Sequence, residues 1–223
     1  MKEGFKFTKK EFTWTIIIII IFEFILALGV SGDFLVLDIS NPWKFIVPPL
    51  IIFTSIIAKK IASKHFCIKI EHSLWKFKRY GWYSRSYLKK PFPIGLIFPF
   101  ALAFLSLGFI KPLTFFQFDY ENYKEMRLQR KRGDYQGRRY EINEADPGLT
   151  AWWGYFSLII LSIVGIVLSF RELALWPLYY NFWNMIPLEN LDGIKCFFGN
   201  LLTYLVIIAL NLIVLLVALF IFA

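Results

Sequence analysis

The residue best placed to do chemistry is Asp192, in the segment Asn184-Met-Ile-Pro187-Leu-Glu-Asn-Leu191-Asp192-Gly193 at the end of a late apolar stretch. A carboxylate can ligate a cation, move a proton or pair with an ammonium. Partners for it are scarce. The chain has 2 His (His65, His72) and 2 Cys (Cys67, Cys196), with no C-x-x-C pair, which argues against a disulfide framework or a cysteine-based zinc ribbon. His65, His72 and Asp192 are weak metal-ligand candidates, and Cys67 beside His65 is a weak chelate signal. The two His are seven residues apart, which suits one helix face, but the intervening FCIKIEHSLWKF alternates like a strand. Cys67, Lys69 and Glu71 would point one way and Ile68, Ile70 and His72 the other. The plainer reading is two surface histidines in a basic loop. There is no H-E-x-x-H, G-x-S-x-G, Cys–His signature or phosphate loop, so nucleophilic and phosphate chemistry have no better support.

The elements that must position Asp192 belong to a membrane. Of 223 residues, 57% are hydrophobic and 20% aromatic, and mean hydropathy is +0.55. Soluble domains run at about 45–50% apolar. A soluble enzyme, a disordered tail and a disulfide scaffold are therefore excluded, and the long apolar stretches predict an all-α polytopic membrane protein. Expected spans cover 14–31, 45–62, 150–170, 173–188 and 198–222. The first follows a basic lead (1–13) and also fits a signal peptide; we read it as a retained helix. Glu23 in its middle should face protein or water. Residues 92–117 are apolar but broken by Pro93, Gly95, Pro99, Gly108 and Pro112. No internal repeat is visible.

The net charge of +9 is concentrated. From Lys59 to Lys90 there are eight Lys and two Arg against Glu71 alone. Residues 63–90 thus read as a cytoplasmic basic loop holding a small β-ribbon. Its Trp75, Phe77, Tyr80, Trp82, Tyr83 and Tyr87 interleave with Lys76, Lys78, Arg79 and Arg85. Beside membrane spans, Trp75, Lys76, Lys78, Arg79 and Trp82 read as anchors on anionic lipid, with nucleic acid not expected as a partner. The polar loop 118–149 holds seven basic and seven acidic residues, the run Arg130-Lys131-Arg132, and turn signals at Gly133, Gly137, Pro147 and Gly148. It reads as a solvated face or, more sharply, a docking site for a soluble partner. Its Lys and Arg place it inside as well, so 92–117 should be a re-entrant hairpin. The result is five spans plus that hairpin, with the N-terminus inside and the C-terminus outside, in the cell membrane.

The spacing Asn184, Pro187, Leu191, Asp192, Gly193 resembles the N-x-x-P-…-L-D-G element of the site-2 proteases, intramembrane zinc metalloproteases, in their short archaeal-type form. Lys195, Phe197 and Asn200 look like its continuation, while Glu189 and Asn190 stand where two prolines are usual. The resemblance implies a site-2-protease-like core in which the Asp is the third zinc ligand and the Asn and Pro break the helix to hold substrate backbone. It also implies an earlier H-E-x-x-H, whose two His and Glu provide ligands and base. By order and context, SIIAKKIASKHF is the matching stretch, and the His, Glu and His positions hold Ser55, Ile56 and Lys59. A third family element, Gly-Pro on the next helix, keeps Gly154 followed by Tyr155.

A catalytic zinc needs three protein ligands and an activated water. Here one candidate ligand remains, and Lys59 puts a fixed cation where a dication would sit, able to pair with Asp192. Zinc is not expected. The leading expectation is an inactive site-2-protease relative. It would act as a scaffold, an accessory subunit of a membrane complex or a binder of transmembrane segments, with lipid bilayer and membrane helices as partners. Two alternatives stand beside it: an active protease with His65, His72 and Asp192 converging on metal, and a small channel or transporter lined by Glu23, Lys59, Glu189 and Asp192.

Overall fold

The computed structural model describes residues 7–31, 34–37, 41–79, 87–122 and 143–222. The readings placed on Tyr80, Trp82, Tyr83, Arg85 and the run at 130–132 lie outside them. The chain is mainly helical: α1 (Lys9–Ala27), α2 (Trp43–His65), α3 (Ile94–Leu105), α4 (Ala145–Val167), α5 (Arg171–Met185), α6 (Asp192–Gly199) and α7 (Leu201–Phe222). Three short antiparallel ribbons accompany them: β1 (Leu28–Ser31) with β2 (Phe34–Leu37), β3 (Ile68–Leu74) with β6 (Phe116–Asn122), and β4 (Phe77–Arg79) with β5 (Tyr87–Phe92).

Three helices, α2, α4 and α7, are long and apolar enough to cross a membrane. Helix α1 has 19 residues but carries Lys9, Lys10, Glu11 and Glu23. Several boundaries differ from the sequence reading for local reasons. The 14–31 stretch ends as a helix at Ala27, because Leu28–Ser31 pairs with Phe34–Leu37. Helix α2 runs three residues past 62. Pro147 and Gly148, read as turn signals, lie in the first turn of α4, where a missing proline N–H costs nothing. Helix α5 stops at Met185, ahead of Pro187. The last stretch divides at Asn200, whose side chain accepts the Leu202 and Thr203 N–H groups and starts α7.

Helix α4 is the hub, packing on α2, α5, α6 and α7. Two close approaches depend on glycine. A Cβ on Gly165 would lie 2.5 Å from the Ala174 nitrogen, and one on Gly148 would lie 2.7 Å from the Lys195 carbonyl. On α2 the inward stripe runs Val47, Pro48, Ile51, Ile52, Ser55, Ile56, Lys59, Lys60, Ala62, Ser63. The helical period therefore carries Ser55 and both lysines onto the buried face.

The ribbon expected at 63–90 is present, but its partner is distant. Strand β3 pairs over its whole length with β6, from Ile68↔Asn122 to Leu74↔Phe116. Alternation holds, with Ile68, Ile70 and His72 buried. The segment between these strands leaves and returns at one residue. Trp75 donates its N–H to the Phe115 carbonyl (2.8 Å) and accepts the Gly95 N–H (3.0 Å). Between those feet α3 rises, the chain reverses through Leu107 and Gly108 at positive φ, and Pro112–Phe115 comes back buried. Trp75 is thus not a lipid anchor. It is 2% exposed, and its indole N–H donates to the Glu189 carbonyl at 2.6 Å.

Candidate functional site

The site forms where α2, α4 and α6 meet. Asp192 is the first residue of α6, and its Oδ2 accepts a charge-assisted hydrogen bond from Lys59 Nζ. Both side chains are almost wholly buried, at 3% and 2% exposure. The pairing anticipated from the sequence is therefore present. Lys195, one turn along α6, approaches Oδ1 at 3.5 Å, donates to the Phe118 carbonyl at 2.5 Å and lies 3.6 Å from the centre of the Phe118 ring. One carboxylate thus faces two ammonium groups.

Glycines make the room. A Cβ on Gly154 would fall on the Lys59 stem, 2.8 Å from Cγ and nearer still to Cε, so α4 must be bare where the lysine crosses it. A Cβ on Gly193 would meet the Met185 and Ile186 backbone, with Ile186 O at 2.8 Å. Only glycine lets the α6 start fold back on the α5 end. Tyr155, next to Gly154, donates its hydroxyl to the Asn184 carbonyl at 2.7 Å. The Asn184 amide donates to the Tyr180 carbonyl (2.8 Å) and to the Leu113 carbonyl on the returning limb (2.9 Å). Both its N–H bonds are thereby used within the chain. Pro187 lies in the unwound stretch after α5, followed by a turn with Asn190 at φ 60°.

Ser55 and Ile56 are also buried on the α2 face that carries Lys59. The structure thus joins Lys59 to Asp192, with Gly193 folded against the end of the helix that carries Asn184 and with Ser55 and Ile56 on the buried face of α2. His65 does not join them and is exposed at the end of α2. Among the described residues no group of three His, Cys, Asp or Glu converges as a metal site.

A second ionic cluster was not legible in the sequence. Glu11, in the first turn of α1, is 1% exposed. Its Oε2 accepts from Lys60 Nζ at 2.7 Å, and its Oε1 lies 2.8 Å from His72 Nδ1 and accepts the His72 backbone N–H at 3.2 Å. His72 is buried, not on the surface of a basic loop. Lys59 and Lys60 likewise lie inside the protein. Adjacent on one helix, they serve opposite partners, Lys59 joining α2 to α6 and Lys60 joining it to α1. The two clusters also close the β3–β6 ribbon. His72 and Phe118 are cross-strand partners. The outward His72 N–H is taken by Glu11 and the outward Phe118 carbonyl by Lys195, which blocks both edges at that level. The signal available beforehand was the helical period of Lys59 and Lys60; nothing local marked Glu11.

Burial opposes charge on Asp192, but Lys59, and after it Lys195, outweigh the burial and hold its carboxyl below the usual range. Burial pushes Lys195 down to about 8 despite Asp192. Burial pushes Cys196 up to about 12, so it is a thiol. Burial also lowers His72, with the Glu11 hydrogen bond acting against it. His72 is therefore neutral, with Nδ1–H facing Glu11, and among the described residues its Nε2 has no hydrogen-bond partner.

Comparisons with protein-family models, curated proteins and solved structures find no match to this chain.

Two outcomes follow from the geometry. Gly154→Ala should lower the melting temperature in detergent when Lys59 is present, by overpacking worth about 1–3 kcal/mol. In a Lys59→Ala background the same change should cost far less, because the stem it strikes is gone. Equal costs in both backgrounds would contradict the packing. The lowered His72 pKa makes the unfolded chain bind a proton first as pH falls below about 6.5. Stability should therefore decline from pH 7 to pH 5, and His72→Phe should flatten that decline. A pH-independent melting temperature in wild type would show that His72 is not held neutral.

Proposed function

We propose that this chain is a catalytically inactive, site-2-protease-like membrane protein that works by binding, as a scaffold or accessory subunit of a membrane complex. The observation that carries the reading is the buried Lys59 ammonium on Asp192. Asp192 stands in the relict N-x-x-P-…-L-D-G element, and Ser55, Ile56 and Lys59 stand where the first metal-binding motif would be. Zinc, which the resemblance brings with it, does not fit these residues. Asp192 meets one ammonium at each oxygen, and the nearest imidazole, His72, is committed to Glu11 through Nδ1. Even with His72 Nε2 included, the donors among the described residues stop at two, short of three.

The Asn184 amide bears on the mode of binding. In the resemblance that side chain holds substrate backbone. Here the Leu113 carbonyl of the chain's own returning limb occupies it. This favours a scaffold or subunit over a cleft that grips a transmembrane segment.

For topology we propose five spans (α1, α2, α4, α5, α7) and a re-entrant hairpin made by α3 and its returning limb, with the basic loops cytoplasmic. Support comes from the two feet of the hairpin meeting at Trp75. A segment whose ends are tied to one residue returns to the side it left.

The direct test is restoration. The triple substitution Ser55→His, Ile56→Glu and Lys59→His rebuilds the missing motif on the same α2 face. It should confer about one zinc per chain by metal analysis, lost on adding Asp192→Asn, whereas wild type should carry none. A folded triple variant that binds no zinc, or wild type carrying zinc that depends on Asp192, would overturn the reading. For topology, cysteines introduced singly at Lys69 and Asn143 in a background without native cysteines should be labelled from the same side of sealed vesicles. Labelling from opposite sides would exclude the hairpin.

A further inference from the structure

Between the end of α5 and the first half of α7 lies an apolar groove of about 200 Å³. Helix α7 contributes Tyr204, Ile208, Asn211 and Leu212, and the α5 end contributes Phe182 and Met185, with the unwound stretch closing one end. The α7 residues recur at helical spacing, so they form one stripe parallel to the helix axis. From Tyr204 to Leu212 the stripe covers about 12 Å of rise. The groove therefore runs along a membrane-spanning helix within a single leaflet, the one on the α6 side. Its rim, Phe182 and Leu212, is exposed on the outer surface of the helices.

We infer that this groove is a binding site for one acyl chain of a bilayer lipid. Three observations favour an acyl chain over a partner helix. The direction and length match a chain lying along the membrane normal. The polar atoms at the back are already used: Asn211 Oδ1 accepts from Asn181 Nδ2 at 3.2 Å, Asn211 Nδ2 donates to the Leu178 carbonyl at 3.3 Å, and the Tyr204 hydroxyl donates to the Met185 carbonyl at 2.9 Å. The wall thus offers an occupant apolar contact without the interhelical hydrogen bonds that hold helices together in lipid. The exposed face of α7 beside the mouth carries five bulky side chains (Leu205, Val206, Leu212, Ile213, Leu216) around a single small one, Ala209, where close helix packing wants small residues on successive turns. The inference rests on α7 lying in the bilayer and is independent of the family resemblance.

The test uses the full chain in proteoliposomes of phosphatidylcholine carrying a photoactivatable diazirine in one acyl chain. After illumination, cross-linked peptides are mapped by mass spectrometry. Adducts should concentrate at the groove, at least fivefold above those on the outer face of α4 at Ile160 and Ile163. Ile208→Trp, which fills the groove, should remove that excess while leaving the α4 adducts unchanged. Leu212→Trp at the exposed mouth should act in the same direction with less risk to folding. Uniform labelling of all lipid-facing residues, an excess that both variants leave intact, or cross-links at Leu212 to a second protein chain would each overturn the inference.

Discussion

The structure depends on one buried ion pair. Removing a carboxylate and an ammonium from water costs several kcal/mol per ion, and their attraction offsets this only with close geometry. Lys59 and Asp192 meet that condition because three elements are shaped for it. Helix α2 brings the lysine inward on its helical period, α4 is bare at Gly154 where the stem crosses, and Gly193 lets α6 fold back on the α5 end so that its first residue faces α2. Without the pair, each of these features would leave a void or an unpartnered charge.

The pair also sets what the site can do. An ammonium supplies one positive charge and three donors; a divalent metal supplies two charges and open coordination positions for water and substrate. Lys59 thus satisfies Asp192 structurally without Lewis acidity. The second cluster, Glu11 with Lys60 and His72, extends the same logic to α1 and β3. Consecutive lysines on α2 are neutralised by different elements; Glu11, which pairs with Lys60, also takes the outward His72 N–H, and Lys195, which shares Asp192 with Lys59, takes the outward Phe118 carbonyl of the β3–β6 ribbon. Scaffold and site are one network.

Much of this was legible in the sequence, and the failures have physical causes. The apolar stretches marked α2, α4 and α7, because length and hydropathy are local properties. Alternation marked β3, since Ile68, Ile70 and His72 share a face whatever the partner. The Lys59–Asp192 contact was reachable from motif order, and a helix break near Pro187 from what the resemblance implies, whereas the division at Asn200, inside the expected 198–222 span, was not read. The pairing of β3 with β6 was not, because the strands lie more than forty residues apart and no local pattern specifies register. Glu11 read only as one acid in a short basic lead. Its burial is decided by the folding of α1 against α2 and β3. Trp75 and Lys60 sit beside a dense basic block, whose composition suggested a wet surface; the helical period of α2 and the tie between Trp75 and Glu189 overrode it.

The most direct measurement of the central claim is a double-mutant cycle on unfolding free energy in detergent, with Lys59→Met, Asp192→Leu and the two combined. Each single change should cost about 3–5 kcal/mol by stranding a buried charge, and the double variant should recover most of that loss. Additive costs, with the double variant as unstable as the two singles together, would show that the two residues do not hold each other and would contradict the account.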